Sequence, residues 1–127
     1  MDFKEYQEKA MTTCLHVSAN FSYMMLNLVA ELGELAGKIG KAIRKEQMCI
    51  GGGNDKVNEL CYAADLANED VLEKEQEMMK EAGDVLWQFS GLCTVMGWSL
   101  EEVAQMNLDK LASRKQRRVI DGNGDNR

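Results

Sequence analysis

Four carboxylates are the residues best spaced for chemistry in this chain: Glu31 and Glu34, then Glu81 and Asp84. Each pair has i,i+3 spacing, which on a helix sets both side chains on one face about 5–6 Å apart. Two such pairs facing one another would gather four negative charges round one point. Oxygen donors without an imidazole or thiolate beside them suit a hard cation, magnesium or manganese before zinc or copper. Magnesium in such a site keeps several waters and engages substrate phosphates. A carboxylate-bridged di-iron centre would need Glu-x-x-His pairs, and the single His16 is far from both acidic pairs. The competing reading is a solvated helix face, since E-x-x-E is common on exposed helices.

A second group of residues could meet phosphate. Asn107, Lys110 and Arg114 step by three and four and share a helix face, with Lys115, Arg117 and Arg118 close behind. Such a cluster in an acidic chain is a candidate triphosphate clamp; the alternative is that it complements a helix C-terminus. Lys38, one turn beyond Glu34, is a further candidate phosphate contact. Gly51–Gly53 lacks the Lys-Ser/Thr that follows a P-loop, so it is a loop and not a nucleotide cradle. Trp87 and Trp98 could stack on a base, although core or interface burial is the stronger expectation.

The elements that must position these residues are helical. A first amphipathic helix starts at Phe3 behind Asp2 as N-cap and weakens towards a turn at 16–20. A second spans about 21–45, and its last turns carry Lys38, Lys41, Arg44 and Lys45. On a helical wheel it presents Met25, Leu28, Val29, Leu32, Leu35, Ala36, Ile39 and Ile43 on one apolar face, and Ala30, Gly33, Gly37 and Gly40 on a face of very small residues. The wedge between them holds Asn27, Glu31, Glu34, Lys38 and Lys41, with Glu34 expected deepest. A loop-rich insertion fills 46–68, with a short helix expected from Lys56 to Leu66. A third helix runs from Asn68 or Glu69 to about Met96 and stops at Gly97. It carries Glu77, Glu81, Asp84 and Gln88 in a wedge of its own, and Asp84 is the last charge before sixteen uncharged residues. Ser99-x-x-Glu102 then forms a capping box for a fourth helix reaching Arg118. No strand is expected. The chain reads as one all-α domain over 1–118 with a polar tail over 119–127.

Composition bounds the partners. The 127 residues are 45% hydrophobic, contain no Pro, and carry a formal charge of -6. That is enough apolar matter for one core, and the acidity argues against nucleic acid as a partner. The longest uncharged run is too short to span a bilayer, so a soluble, cytoplasmic protein with no membrane partner is expected. The four Cys are far apart in sequence and fit reduced thiols better than a disulfide framework.

Taken together, Glu31-Leu-Gly-Glu34, Glu81-Ala-Gly-Asp84-Val-Leu-Trp-Gln and Gly97-x-Ser99-Leu-Glu-Glu-Val with Asn107-x-x-Lys110-Leu-x-x-Arg114 resemble the MazG-like, all-α nucleoside triphosphate pyrophosphohydrolases. The resemblance implies a four-helix MazG-like bundle assembled as a homodimer or tetramer. It implies cleavage of nucleoside triphosphates, deoxynucleotides foremost, to a monophosphate and pyrophosphate, in nucleotide-pool control. Glu31, Glu34, Glu81 and Asp84 would hold Mg2+, with Mn2+ as an alternative; Asn107, Lys110 and Arg114 would contact the nucleotide. Glu34 is the candidate base for an attacking water. The 46 residues between Glu34 and Glu81 exceed the family's usual interval. Phosphoribosyl-ATP pyrophosphohydrolase shares the metal motif, and a non-catalytic helical interaction module is the alternative from another class.

Overall fold

The computed structural model describes residues 1–53 and 56–122. Asn54 and Asp55 of the glycine-rich stretch, and residues 123–127 of the expected tail, lie outside the described residues. The elements run α1 (Phe3–Met11), a 3-10 turn (His16–Ser18), α2 (Phe21–Arg44), β1 (Met48–Gly53), β2 (Lys56–Tyr62), α3 (Asn68–Val95) and α4 (Leu100–Gln116). Four helices therefore dominate, as the periodicity requires.

Two compact units divide the chain, one from Ser22–Phe89 and one from Met1–Phe21 with Ser90–Arg127. In the second of these, Asp2 caps α1 by accepting the Glu5 backbone N–H at 2.8 Å. That helix ends at Met11, earlier than its apolar spacing suggested. The hydroxyls of Thr12 and Thr13 turn back onto the carbonyls of Lys9 and Ala10, at 2.6 and 2.7 Å. Such side-chain bonds offer the backbone an alternative to continuing the helix. Ser99 caps α4 by accepting the Glu102 N–H. Gln7 ties α1 to the α3–α4 corner: its amide donates to Thr94 Oγ1 and the Trp98 carbonyl, and its oxygen accepts the Leu100 N–H at 2.8 Å. Leu92, Cys93 and Leu100 are the buried apolar residues of this unit.

The Ser22–Phe89 unit holds most of α2 and α3 with a two-stranded antiparallel sheet between them in sequence. This sheet corrects the sequence reading of 46–68 as loop plus short helix. The strands pair in register Met48↔Tyr62, Cys49↔Cys61, Ile50↔Leu60 and Gly51↔Glu59, with an irregularity before Gly53↔Lys56. Ile, Val and Tyr favour extended backbone, and glycines inside a strand commonly mark such an irregularity. The Ala63 N–H bonds the Gln47 carbonyl at 2.8 Å and closes the hairpin at its base. Two of the four cysteines, far apart in sequence, thus lie opposite one another; all four are free thiols. Tyr62 donates its hydroxyl to Glu75 of α3, and burial with that nearby carboxylate holds the phenol above its usual pKa.

The apolar face expected on α2 is largely open within the single chain. Met24 and Ala42 are the buried residues of that helix, whereas Met25, Val29 and Leu32 are 44%, 66% and 49% exposed. Nothing lies within 4 Å of the Cβ positions of Gly33, Gly37 or Gly40. One long helix and a hairpin cannot cover the whole circumference of α2.

Three helix ends share one geometry. After α2, α3 and α4, residues Glu46, Gly97 and Arg118 take φ of 57°, 72° and 58°. The next N–H bonds five residues back in each: Gln47 to Ala42, Trp98 to Cys93 and Val119 to Arg114, at 2.9, 2.8 and 3.0 Å. This six-to-one closure uses a left-handed residue that favours glycine. Glu46→Gly should therefore stabilise the protein and Gly97→Ala destabilise it, each by about 1 kcal/mol. Open space at the Gly97 Cβ leaves backbone strain as the whole effect. Thermal melts of the two variants check both signs.

Candidate active site

Within the Ser22–Phe89 unit, Glu31 and Glu34 of α2 and Glu81 of α3 bring carboxylate oxygens within 4.8 Å of one another. Spacing of three residues along α2 puts Glu31 and Glu34 on one face, and Glu81 meets them from α3. Glu31 and Glu81 are half-buried and Glu34 is exposed. The expectation that Glu34 lies deepest is thereby corrected: a wheel shows which face a side chain takes, not how much of α3 lies over each turn. Asp84 is exposed and outside this trio, yet its charge is felt at Glu31.

Glu31 carries the electrostatic signature of the site. Its pKa is raised above the ordinary 4.5, first by burial, then by the charges of Glu34 and Asp84. Asn27 opposes that shift. Its side-chain amide donates to Glu31 Oε1 at 3.1 Å and to Gln88 Oε1 at 3.0 Å. Gln88 is 1% exposed and donates in turn to the carbonyl and sulfur of Met24, at 3.3 and 3.0 Å. A buried amide is thus fully engaged, as burial demands, and it holds the group that orients Glu31. The sequence places Asn27 four residues before Glu31 and Gln88 four after Asp84, the i,i+4 step that could have marked both as support for the acids.

Lys38 lies beside the acids. Its Nζ is 3.5 Å from Glu81 Oε1, with the carboxylate 15% exposed and the ammonium 42%. The remaining expected contacts belong to the other unit. Asn107 and Lys110 are exposed on α4 and line a depression of about 520 Å³ with Trp98, Val103 and Met106. Arg114, expected on the same face, is 5% exposed and does not line it.

The donor set fits a hard divalent cation. All three groups offer carboxylate oxygen, and two oxygens opposite one another on magnesium lie about 4.2 Å apart, given bonds of 2.0–2.1 Å. A spread of 4.8 Å needs only small side-chain movement to match. Calcium, with longer bonds, fits the spread too.

The chain belongs to the MazG nucleotide pyrophosphohydrolase domain family, whose model matches residues 19–119. It is also similar to "Gene 37 protein" of Mycobacterium phage L5, 33% identical over 129 residues and covering 96% of each chain. No solved structure matches it. No helix among the described residues is long and apolar enough to cross a membrane.

The raised Glu31 carboxyl sets a pH dependence. The folded protein keeps that proton to higher pH than the unfolded chain, so the group's contribution is fully present below about pH 4.5 and is lost as pH rises through the raised value. Melting temperature in the presence of a chelator should therefore fall across that window. Glu31→Gln should flatten the fall, and Asn27→Ala should displace it to higher pH. A melt series for the three proteins measures it.

Proposed function

We propose that this protein hydrolyses nucleoside triphosphates, deoxynucleoside triphosphates foremost, to a monophosphate and pyrophosphate in a magnesium-dependent reaction. The observation that carries the reading is the meeting of Glu31, Glu34 and Glu81 within 4.8 Å in a chain of the pyrophosphohydrolase family. Bound among these acids, magnesium or manganese would neutralise phosphate oxygens and lower the pKa of an attacking water.

The protein's own residues divide the remaining work. Glu31 and Glu81, half-buried, are the fixed members of the donor set, and the Gln88–Asn27 pair orients Glu31. Asp84, one turn along α3 from Glu81, completes the set of acids. Within the trio of Glu31, Glu34 and Glu81, Glu34 is the exposed member and so is placed to accept a proton from water arriving from solvent, the role of a general base. Lys38, held by Glu81, stands ready to neutralise a phosphate oxygen. Asn107 and Lys110 are exposed nucleotide-contact candidates on α4, and Arg114, the third residue of that face, is buried. Arg114, being buried, is the member of that trio whose removal also lowers stability.

A homodimer accompanies this reading. Val29 at 66% exposure and Leu32 at 49%, with the open Gly33–Gly37–Gly40 face beside them, form an apolar surface of the kind that marks a protein interface. Sedimentation at micromolar concentration should give a dimer, and Leu32→Lys should shift it to monomer.

Three substitutions test the chemistry, with a fourth as control. Glu34→Gln should lower kcat/KM for pyrophosphate release by about 10²–10⁴-fold, the usual contribution of a positioned base. Glu81→Gln should abolish magnesium dependence together with activity. In chelator both should melt at or above the wild-type temperature, because each removes one of several repelling charges. Lys110→Ala should lower kcat/KM by about 10²-fold, with Lys115→Ala as the unaffected control. Full activity in Glu81→Gln overturns the assignment.

A further inference from the structure

A single stripe on α2 changes sign along its length. Glu31, Glu34, Lys38 and Lys41, with Lys45 directly after the helix end, step by three, four, three and four residues, which keeps them on one face. The acidic end meets Glu81. The basic end lines a separate cavity of about 240 Å³, which Lys74 and Glu77 of α3 and Gln47 at the foot of the hairpin complete. Buried Met48 closes it from the first strand. Four ammonium groups thus meet one carboxylate in a chain whose net charge is -6. Among the described residues, the one ion pair these lysines make is that of Lys38 with Glu81.

We infer that this cavity binds the terminal diphosphate of the substrate, and the same group as free pyrophosphate after cleavage, through Lys41, Lys45 and Lys74. The inference rests on the hydrolase reading for the identity of the ligand. Three observations carry it. Lys38, Lys41 and Lys45 are exposed and Lys74 is half-buried, so each charge is solvated, yet like charges gathered round one recess repel one another, and a multiply charged anion lying among them relieves that repulsion. Its size is below the roughly 300–1,000 Å³ of pockets that hold drug-sized ligands, which suits a diphosphate and not a whole nucleotide. Lys38 pairs with Glu81 of the acidic trio and also lines the recess, so one ligand can lie across the two. Glu34 and Lys41 are seven residues apart, about 10.5 Å along the axis. A triphosphate laid along this stripe has its inner phosphate at the acids and its outer two among the lysines. Ammonium groups act here as point charges on flexible stems, which can follow a diphosphate as it leaves.

The full-length protein is titrated with inorganic pyrophosphate by calorimetry in magnesium, beside steady-state kinetics on a deoxynucleoside triphosphate. The double variant Lys41→Gln/Lys45→Gln and the single Lys74→Gln are compared with wild type. Pyrophosphate affinity should fall about tenfold or more in each, in line with the loss of charge-assisted hydrogen bonds. Product inhibition should weaken in parallel, and KM should rise with kcat little changed, as expected for binding shared by ground and transition states. Magnesium binding without pyrophosphate should stay as in wild type. Lys41→Arg/Lys45→Arg should retain affinity and so separates charge from folding. Pyrophosphate affinity within twofold of wild type in both Gln variants, or no pyrophosphate binding by wild type, overturns the inference while leaving the hydrolase reading intact. Lysine-dependent pyrophosphate binding in a protein that cleaves no triphosphate supports the cavity and overturns the hydrolase reading instead.

Discussion

Repulsion among carboxylates is the constraint on which the Ser22–Phe89 unit is organised. Glu31, Glu34 and Glu81 would move apart if only their own charges decided the matter, yet two long helices hold them within 4.8 Å. The structure answers that repulsion in several ways. Glu31 has a raised proton affinity and accepts a hydrogen bond from Asn27. Glu81 is paired with Lys38. Glu34 is left in water, where its charge is best solvated. What remains uncompensated is a local cost to stability, which any cation drawn to these oxygens would relieve. Sites that work on charge are commonly built at such local expense.

Gln88 shows how a helix interior supports this arrangement. A side-chain amide at 1% exposure is unfavourable unless both its donor and acceptor are engaged. Here the acceptor takes the Asn27 amide and the donor reaches Met24. The network therefore has one arrangement, and Glu31 inherits its position from the core. Metal ligands oriented by such outer partners depend on them for much of their affinity.

Much of this was legible in the sequence, for reasons that separate local from tertiary information. Periodicity carried α2 and α3 to within a residue or two of their ends, and Glu31, Glu34 and Glu81 lie together while Asp84 stands outside that trio. Ser99 and Gly97 marked the α3–α4 junction because capping and left-handed turns are local effects with local signatures. The hairpin was missed because three glycines in a row read as loop, and the pairing of Gly51 with Glu59 and of Gly53 with Lys56 is a cross-strand effect. The relative depths of Glu31 and Glu34 were missed because burial depends on which turn α3 crosses. The same holds for Arg114, whose face on α4 was assigned by its step from Lys110 while its 5% exposure is set by packing.

The hairpin base has a meaning for how such proteins vary. Gln47 follows directly on the closing turn of α2, and its carbonyl is bonded to the Ala63 N–H at 2.8 Å. Beyond that clasp the strands run out to Gly53 and back from Lys56, so residues can be added or removed at their far end without altering where α2 ends or α3 begins. Chain-closure entropy resists such change only weakly, at about 0.6 kcal/mol for each doubling of length. Glu34 and Glu81 can thus keep their spacing in space while the distance between them in sequence drifts, which makes the hairpin a natural site for lineage-specific length variation, and for grafting a foreign segment beside the lysine-lined recess.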